Sequence, residues 1–128
     1  EMKVTNETRK ILHFDENVKI SCTAVRVPVY IGHSEAVSVE FEKEVDENEA
    51  RELLKNTWGV EVKDDISNFV YPTPKDAAGK NPVYVGRIRK SIAFDNGLEF
   101  FCVADNLRIG AALNTVRLAQ KVIEMELY

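Results

Sequence analysis

The sequence predicts an α+β domain: a mixed, largely antiparallel sheet with helices gathered on one face. Three observations predict it. The stretch Ser34–Lys43 alternates cleanly, with Val37, Val39 and Phe41 on one side and Ser38, Glu40 and Glu42 on the other, the period of a half-buried strand. Two later runs rich in β-formers, Val83–Phe94 and Leu98–Ala104, flank Asp95-Asn96-Gly97, a hairpin signal. The chain then closes on helical spacing, with Leu113, Val116, Ala119 and Ile123 on one side of a helix over 108–127.

Taken in order, Glu1–Leu12 reads as a charged helix, with Glu7 and Lys10 at helical spacing. A chain whose first residue is Glu and lies in such a helix is expected to be a piece of something longer. Lys19–Val29, rich in β-branched and small residues, reads as a strand. It meets the Ser34–Lys43 strand at a bend over Pro28–His33. Asp46–Thr57 reads as a helix, with Asp46 as N-cap, Glu49 completing a capping-box pattern and Gly59 as the stop. A short strand is expected over 60–65. Tyr71–Pro82 holds three of the four prolines and is expected to be loop. Phe100-Phe101-Cys102-Val103 is apolar in succession, the pattern of a strand buried on both faces. Asp105 or Asn106 would cap the closing helix.

Composition bounds the function. The chain has 128 residues, 17 Lys and Arg against 21 Asp and Glu, and a net charge of −4. One domain with a hydrophobic core fits that length, and an acidic balance gives no reason to expect nucleic acid. Arg87, Arg89 and Lys90 form a short basic cluster, expected to be solvated or paired. Cys22 and Cys102 sit in apolar surroundings without metal-ligand spacing, so reduced, inert thiols and a cytoplasmic setting are expected. No apolar run is long enough to cross a membrane.

The chemistry concentrates in Arg26-Val-Pro-Val-Tyr-Ile-Gly-His33. A guanidinium grips a carboxylate or phosphate through a rigid fork. An imidazole takes and returns a proton near neutral pH. A Pro and a Gly between them bend the strand and let backbones approach closely. On general grounds a lone Arg and a lone His are more often structural than catalytic.

The surrounding residues weigh the other way. Thr23-Ala-Val-Arg-Val-Pro-Val-Tyr-Ile-Gly-His-Ser-Glu-Ala-Val37 resembles the signature of aspartate-semialdehyde dehydrogenases. Asn6–Leu12, Tyr71-Pro-Thr-Pro through Val83-Tyr-Val-Gly-Arg-Ile-Arg89, and Ala104-Asp-Asn-Leu-Arg-Ile-Gly-Ala-Ala-Leu-Asn114 resemble further blocks of that family, in family order. The resemblance implies the C-terminal portion of the catalytic and dimerisation domain, with a fold like that of glyceraldehyde-3-phosphate dehydrogenase. It implies His33 as the acid–base residue and Arg26 as the anchor of the substrate α-carboxylate. Lys3 would help bind phosphate, and Asn106 would lie near the nicotinamide of NADP. The whole enzyme would reduce L-4-aspartyl phosphate to L-aspartate 4-semialdehyde through a cysteine thioester, in the biosynthesis of lysine, threonine, methionine and isoleucine. A homodimer or homotetramer would carry it. Without the resemblance, Lys3 reads as a solvated lysine and Asn106 as an N-cap.

Where the sequence departs from the family pattern is equally informative. Neither cysteine takes the place of the family's nucleophile, and the substrate-orienting glutamine and glutamate have no counterpart between residues 1 and 128. No Gly-rich strand-to-helix turn is present to hold a pyrophosphate. The Rossmann domain is therefore expected to be absent and the chain inactive alone. The alternative is an isolated oligomerisation module.

Overall fold

A computed structural model describes all 128 residues. Four strands form one sheet in the order β1-β4-β3-β2: β1 (His33–Glu40), β2 (Val60–Val62), β3 (Val83–Lys90) and β4 (Gly97–Ala104). β1–β4 and β4–β3 are antiparallel and β2–β3 is parallel. The mixed, largely antiparallel sheet is the one expected, and no dinucleotide-binding unit accompanies it within this chain.

Helix α1 (Met2–Leu12) ends on His13 in the left-handed conformation. Helix α2 (Glu47–Lys55) starts where the sequence places it: the Asp46 carboxylate accepts from the backbone of Asn48 and Glu49. Those two bonds, that to Glu49 first, pull the Asp46 pKa below its ordinary value. The reciprocal bond expected from the Glu49 side chain does not form, and the helix stops at Asn56 rather than Gly59. A true capping box appears instead at Thr73 and Asp76, with Pro74 as the first helical residue.

That capping box corrects the expected loop over 71–82. Parallel β2 and β3 need a crossover, and residues 63–82 supply it, with a 3₁₀ turn at Ile66–Asn68 and a short helix α3 (Pro74–Ala77). Ala77 is fully buried against Tyr84 and Val103. The hairpin is also longer than expected: β3 stops at Lys90, so six residues rather than a tight turn lead to β4. The basic cluster is largely paired, Arg89 with Glu99 and Lys90 with Glu44.

One buried charge organises the edge of the sheet. The Asp64 side chain is 2% exposed and pairs with Arg51 at 3.0 Å. Its oxygens also accept from the backbone of Arg87 at 2.7 Å and Ile88 at 3.3 Å. Arg87 has φ 58, and the register of β3 against β4 shifts between Gly86 and Arg89. Two consecutive N–H groups converging on one carboxylate fix this bulge.

One expectation fails outright, and the closing helix forms with a modified first turn. Residues 19–29 form no strand, and they are almost entirely exposed. The closing helix opens with a wider π-helical turn (Arg108–Ala112) before α4 (Leu113–Glu124). Helix α4 is tethered by the Arg117 guanidinium, 4.6 Å from the centre of the Trp58 ring.

The accessible surface is 10087 Å², whereas a compact monomer of 14.5 kDa would show about 6,900 Å². The surplus, roughly 3,000 Å² on this one chain, exceeds the share that a standard interface buries per partner. Tyr30, Trp58, Phe69 and Ile92 are among the apolar side chains it leaves bare.

Candidate functional site

The C-terminal end of β4 and the N-terminal end of β1 lie side by side, with His33 opposite Ala104 and Glu35 opposite Cys102. Strand alternation puts these four residues on one face, opposite the face of Val103 and Tyr84 that α3 covers. The first turn of the closing helix borders the same face. Together they enclose an open cleft of about 470 Å³ whose lining includes His33, Glu35, Cys102, Asn106, Ile109 and Gly110.

His33 and Asn106, 73 positions apart in the sequence, thus share one cleft. His33 begins β1 and its side chain is open to solvent. Asn106 is not the helix cap. That task falls to Asp105, buried, whose Oδ1 accepts from Leu107 N at 3.0 Å and whose Oδ2 accepts from Gly79 N at 2.8 Å. Asn106 Oδ1 instead accepts from Gly32 N at 3.2 Å.

Arg26 and Lys3 lie outside this cleft. Lys3 is 81% exposed and faces Glu7 at 3.8 Å, and Arg26 is exposed with no acidic partner. Their two segments are nevertheless joined, because Glu1 Oε1 accepts from Ala24 N at 2.9 Å. Two cationic side chains therefore stand on exposed segments joined by one hydrogen bond, and the His33 imidazole stands at the start of β1.

Cys102 faces the cleft but is not a nucleophile in waiting. Burial, and then the Glu35 carboxylate, push its thiol up to about 11, the opposite of what a reactive thiol needs. Glu35 is a cleft residue to which sequence reasoning gave no role; its signal was its place two positions after His33, on the same strand face. No group of three His, Cys, Asp or Glu converges to hold a metal ion. No helix is long and apolar enough to cross a membrane.

The Asn106 Nδ2 donors remain free at the cleft, so the residues present fit the carboxamide end of a nicotinamide. They offer no cradle for the rest of a dinucleotide.

The chain is similar to known proteins of one family. The family model "Semialdehyde dehydrogenase, dimerisation domain" matches residues 1–109. The aspartate-semialdehyde dehydrogenase of Aquifex aeolicus is 52% identical over 124 residues, covering 97% of this chain. That of Campylobacter jejuni is 48% identical over 126 residues, covering 98%. The chain spans 36% of the length of each of these relatives. Among solved structures, aspartate semialdehyde dehydrogenase II from Vibrio cholerae complexed with ASA superposes with a TM-score of 0.89 at 40% identity. That match covers 97% of this chain and 36% of the other.

Proposed function

The chain belongs to the aspartate-semialdehyde dehydrogenase family, whose dimerisation domain it carries, and from that premise we propose that it is the C-terminal part of an enzyme reducing L-4-aspartyl phosphate to L-aspartate 4-semialdehyde. The observation that carries the reading is the shared cleft of His33 and Asn106 where β1 meets β4, with Arg26 and Lys3 on exposed segments outside it.

In this reading His33 holds and returns the proton at the reacting carbon's substituents, its imidazole suited to both directions. Arg26 grips the substrate α-carboxylate through its guanidinium fork. Lys3 meets the transferred phosphate as a mobile point charge. Asn106 orients the nicotinamide carboxamide through Nδ2. NADPH, when bound, supplies hydride. The nucleophilic thiol and most of the dinucleotide site belong to the rest of the protein, so this chain alone does not turn over. The setting is amino-acid biosynthesis in the cytoplasm.

The test is phosphate-dependent reduction of NADP⁺ with L-aspartate 4-semialdehyde. The chain is assayed alone, then co-expressed with the N-terminal part of a relative. Activity in the mixture only, lost in His33→Ala, is the expected result. Turnover by the chain alone, or silence from a folded, associated mixture, overturns it.

A second reading has its own observation. The surplus accessible surface favours self-association of the chain as a dimerisation module. Light scattering decides it: a dimer or tetramer is expected, and a monomer at high concentration sinks it.

A further inference from the structure

We propose that Asn106 is a positioning residue for His33, acting through the Gly32 peptide in addition to facing the cleft. The inference rests on the acid–base reading of His33.

Residues 13–32 are joined to the sheet body by one hydrogen bond, from Gly32 N to Asn106 Oδ1 at 3.2 Å. The other bonds of that segment run within itself or to α1, as in Arg9 to Val18 O and Ala24 N to Glu1. Gly32 immediately precedes His33, so this bond sets where β1 begins and where the imidazole starts. Conformation rather than crowding reserves this position for glycine. Gly32 has φ 111, and an added Cβ would lie 3.4 Å from Ala104 O and 3.5 Å from Pro74 Cβ. A backbone in that region is open to glycine and strained for other residues.

The anchor is firmer than what it holds. Asp105, the neighbour of Asn106, is buried and bonded to Gly79 N and Leu107 N. Asn106 thus projects from a fixed point where β4, the crossover and the closing helix meet. Its amide has two ends: Oδ1 is spent on Gly32 N, and Nδ2 remains for the cleft. Removing the acceptor frees the peptide before His33 and leaves only the pairing with Ala104 to hold this end of β1, so the exposed imidazole samples more positions. A proton shuttle needs one of them.

The experiment uses the ¹⁵N-labelled 128-residue chain and four forms: native, Asn106→Ala, the near-isosteric Asn106→Leu and Asn106→Asp. Amide exchange at Gly32 is expected to rise roughly tenfold in the Ala and Leu variants. The His33 ring resonances should move while those of His13 stay put. Asn106→Asp, which keeps an acceptor but loses the Nδ2 donors, restores protection. The β3 amides report that each variant is folded. Unchanged Gly32 exchange in both acceptor-less variants overturns the proposal. In the assembled enzyme, Asn106→Ala is expected to lower kcat as well as raise the KM of the dinucleotide, because it removes Oδ1 and Nδ2 together. Asn106→Asp, which keeps the acceptor, recovers part of kcat but not that KM. A change confined to that KM overturns the positioning role. If the native mixture is inactive, the proposed function fails, and the exchange measurement still decides this inference.

Discussion

Two stretches of this chain have the same β-forming character and opposite fates. Residues 98–104 form the strand between β1 and β3, paired on both edges. Residues 19–29, rich in β-branched side chains, pair with no strand, and Val25, Val27 and Val29 lie in the open. Propensity does not separate them; partners do. A β-branched residue fits a pleated surface, and the fit has value only where neighbouring strands complete that surface. β4 finds its neighbours within the chain, whereas the arm reaches the sheet through Gly32 alone.

The largest expected effect lies at the other edge of the sheet. Asp64 is buried, and its loss strands the half-buried Arg51 guanidinium and leaves two N–H groups of the bulge unpaired. Asp64→Ala should cost about 3–5 kcal/mol, read as a lower urea midpoint. No comparable residue exists in 13–32. An unchanged midpoint would break the contrast, because the sheet would then be no more tightly specified than the arm.

The two cysteines sample the two regions. Cys102 sits on β4 with its thiol pushed up to about 11 from an ordinary 9.0. At mildly alkaline pH it carries roughly a hundredfold less reactive thiolate than at its ordinary value. Cys22 lies in the arm, without strand neighbours. Alkylation followed by mass spectrometry should modify Cys22 well before Cys102. Equal rates would mean that β4 opens as readily as the arm.

How much was legible in the sequence follows the same division. Helices α1 and α2 and strand β1 could be read because their signals are local: spacing, a cap, strict alternation. The placement of Asn106 was half-legible. Asn before a helix signals a cap, but Asp105 took the cap, and the bond to Gly32 spans 74 residues. Helix α3 was legible and missed. Thr73-Pro-Lys-Asp76 is a capping box with Pro at the first position, hidden by its neighbouring prolines. The failed strand at 19–29 was not legible, since no local pattern says whether a partner exists.

That capping box gives a smaller prediction, with a sign. The Asp76 carboxyl is held down to about 2 from an ordinary 3.8, first by the Thr73 hydroxyl and then by Lys63 at 2.9 Å. A depressed folded-state value means the stabilisation is full above the ordinary value and is lost as pH falls towards about 2. The side chain is 30% exposed, so solvent screens part of it, and about 1 kcal/mol is expected. The gap in urea midpoint between native protein and Thr73→Ala should narrow from about pH 5 to about pH 2.5. A constant gap would assign the stabilisation to the hydroxyl cap alone.

The smallest effect is the most discriminating. Val25 is 74% exposed, and Val25→Ser in the isolated chain should shift stability by less than about 0.5 kcal/mol. The chain spans 36% of its relatives' length, and the arm has strand chemistry without a strand. If the remainder of such a protein supplies the missing neighbour, the same substitution should weaken association of the two parts by several-fold, because a buried valine is worth about 1.5 kcal/mol or more. Titrating native and Val25→Ser chains against the N-terminal part of a relative measures the difference. A neutral result in both settings would mean that residues 19–29 are a connector in the complete protein as well. Arg26 would then be carried on a tether rather than on a strand.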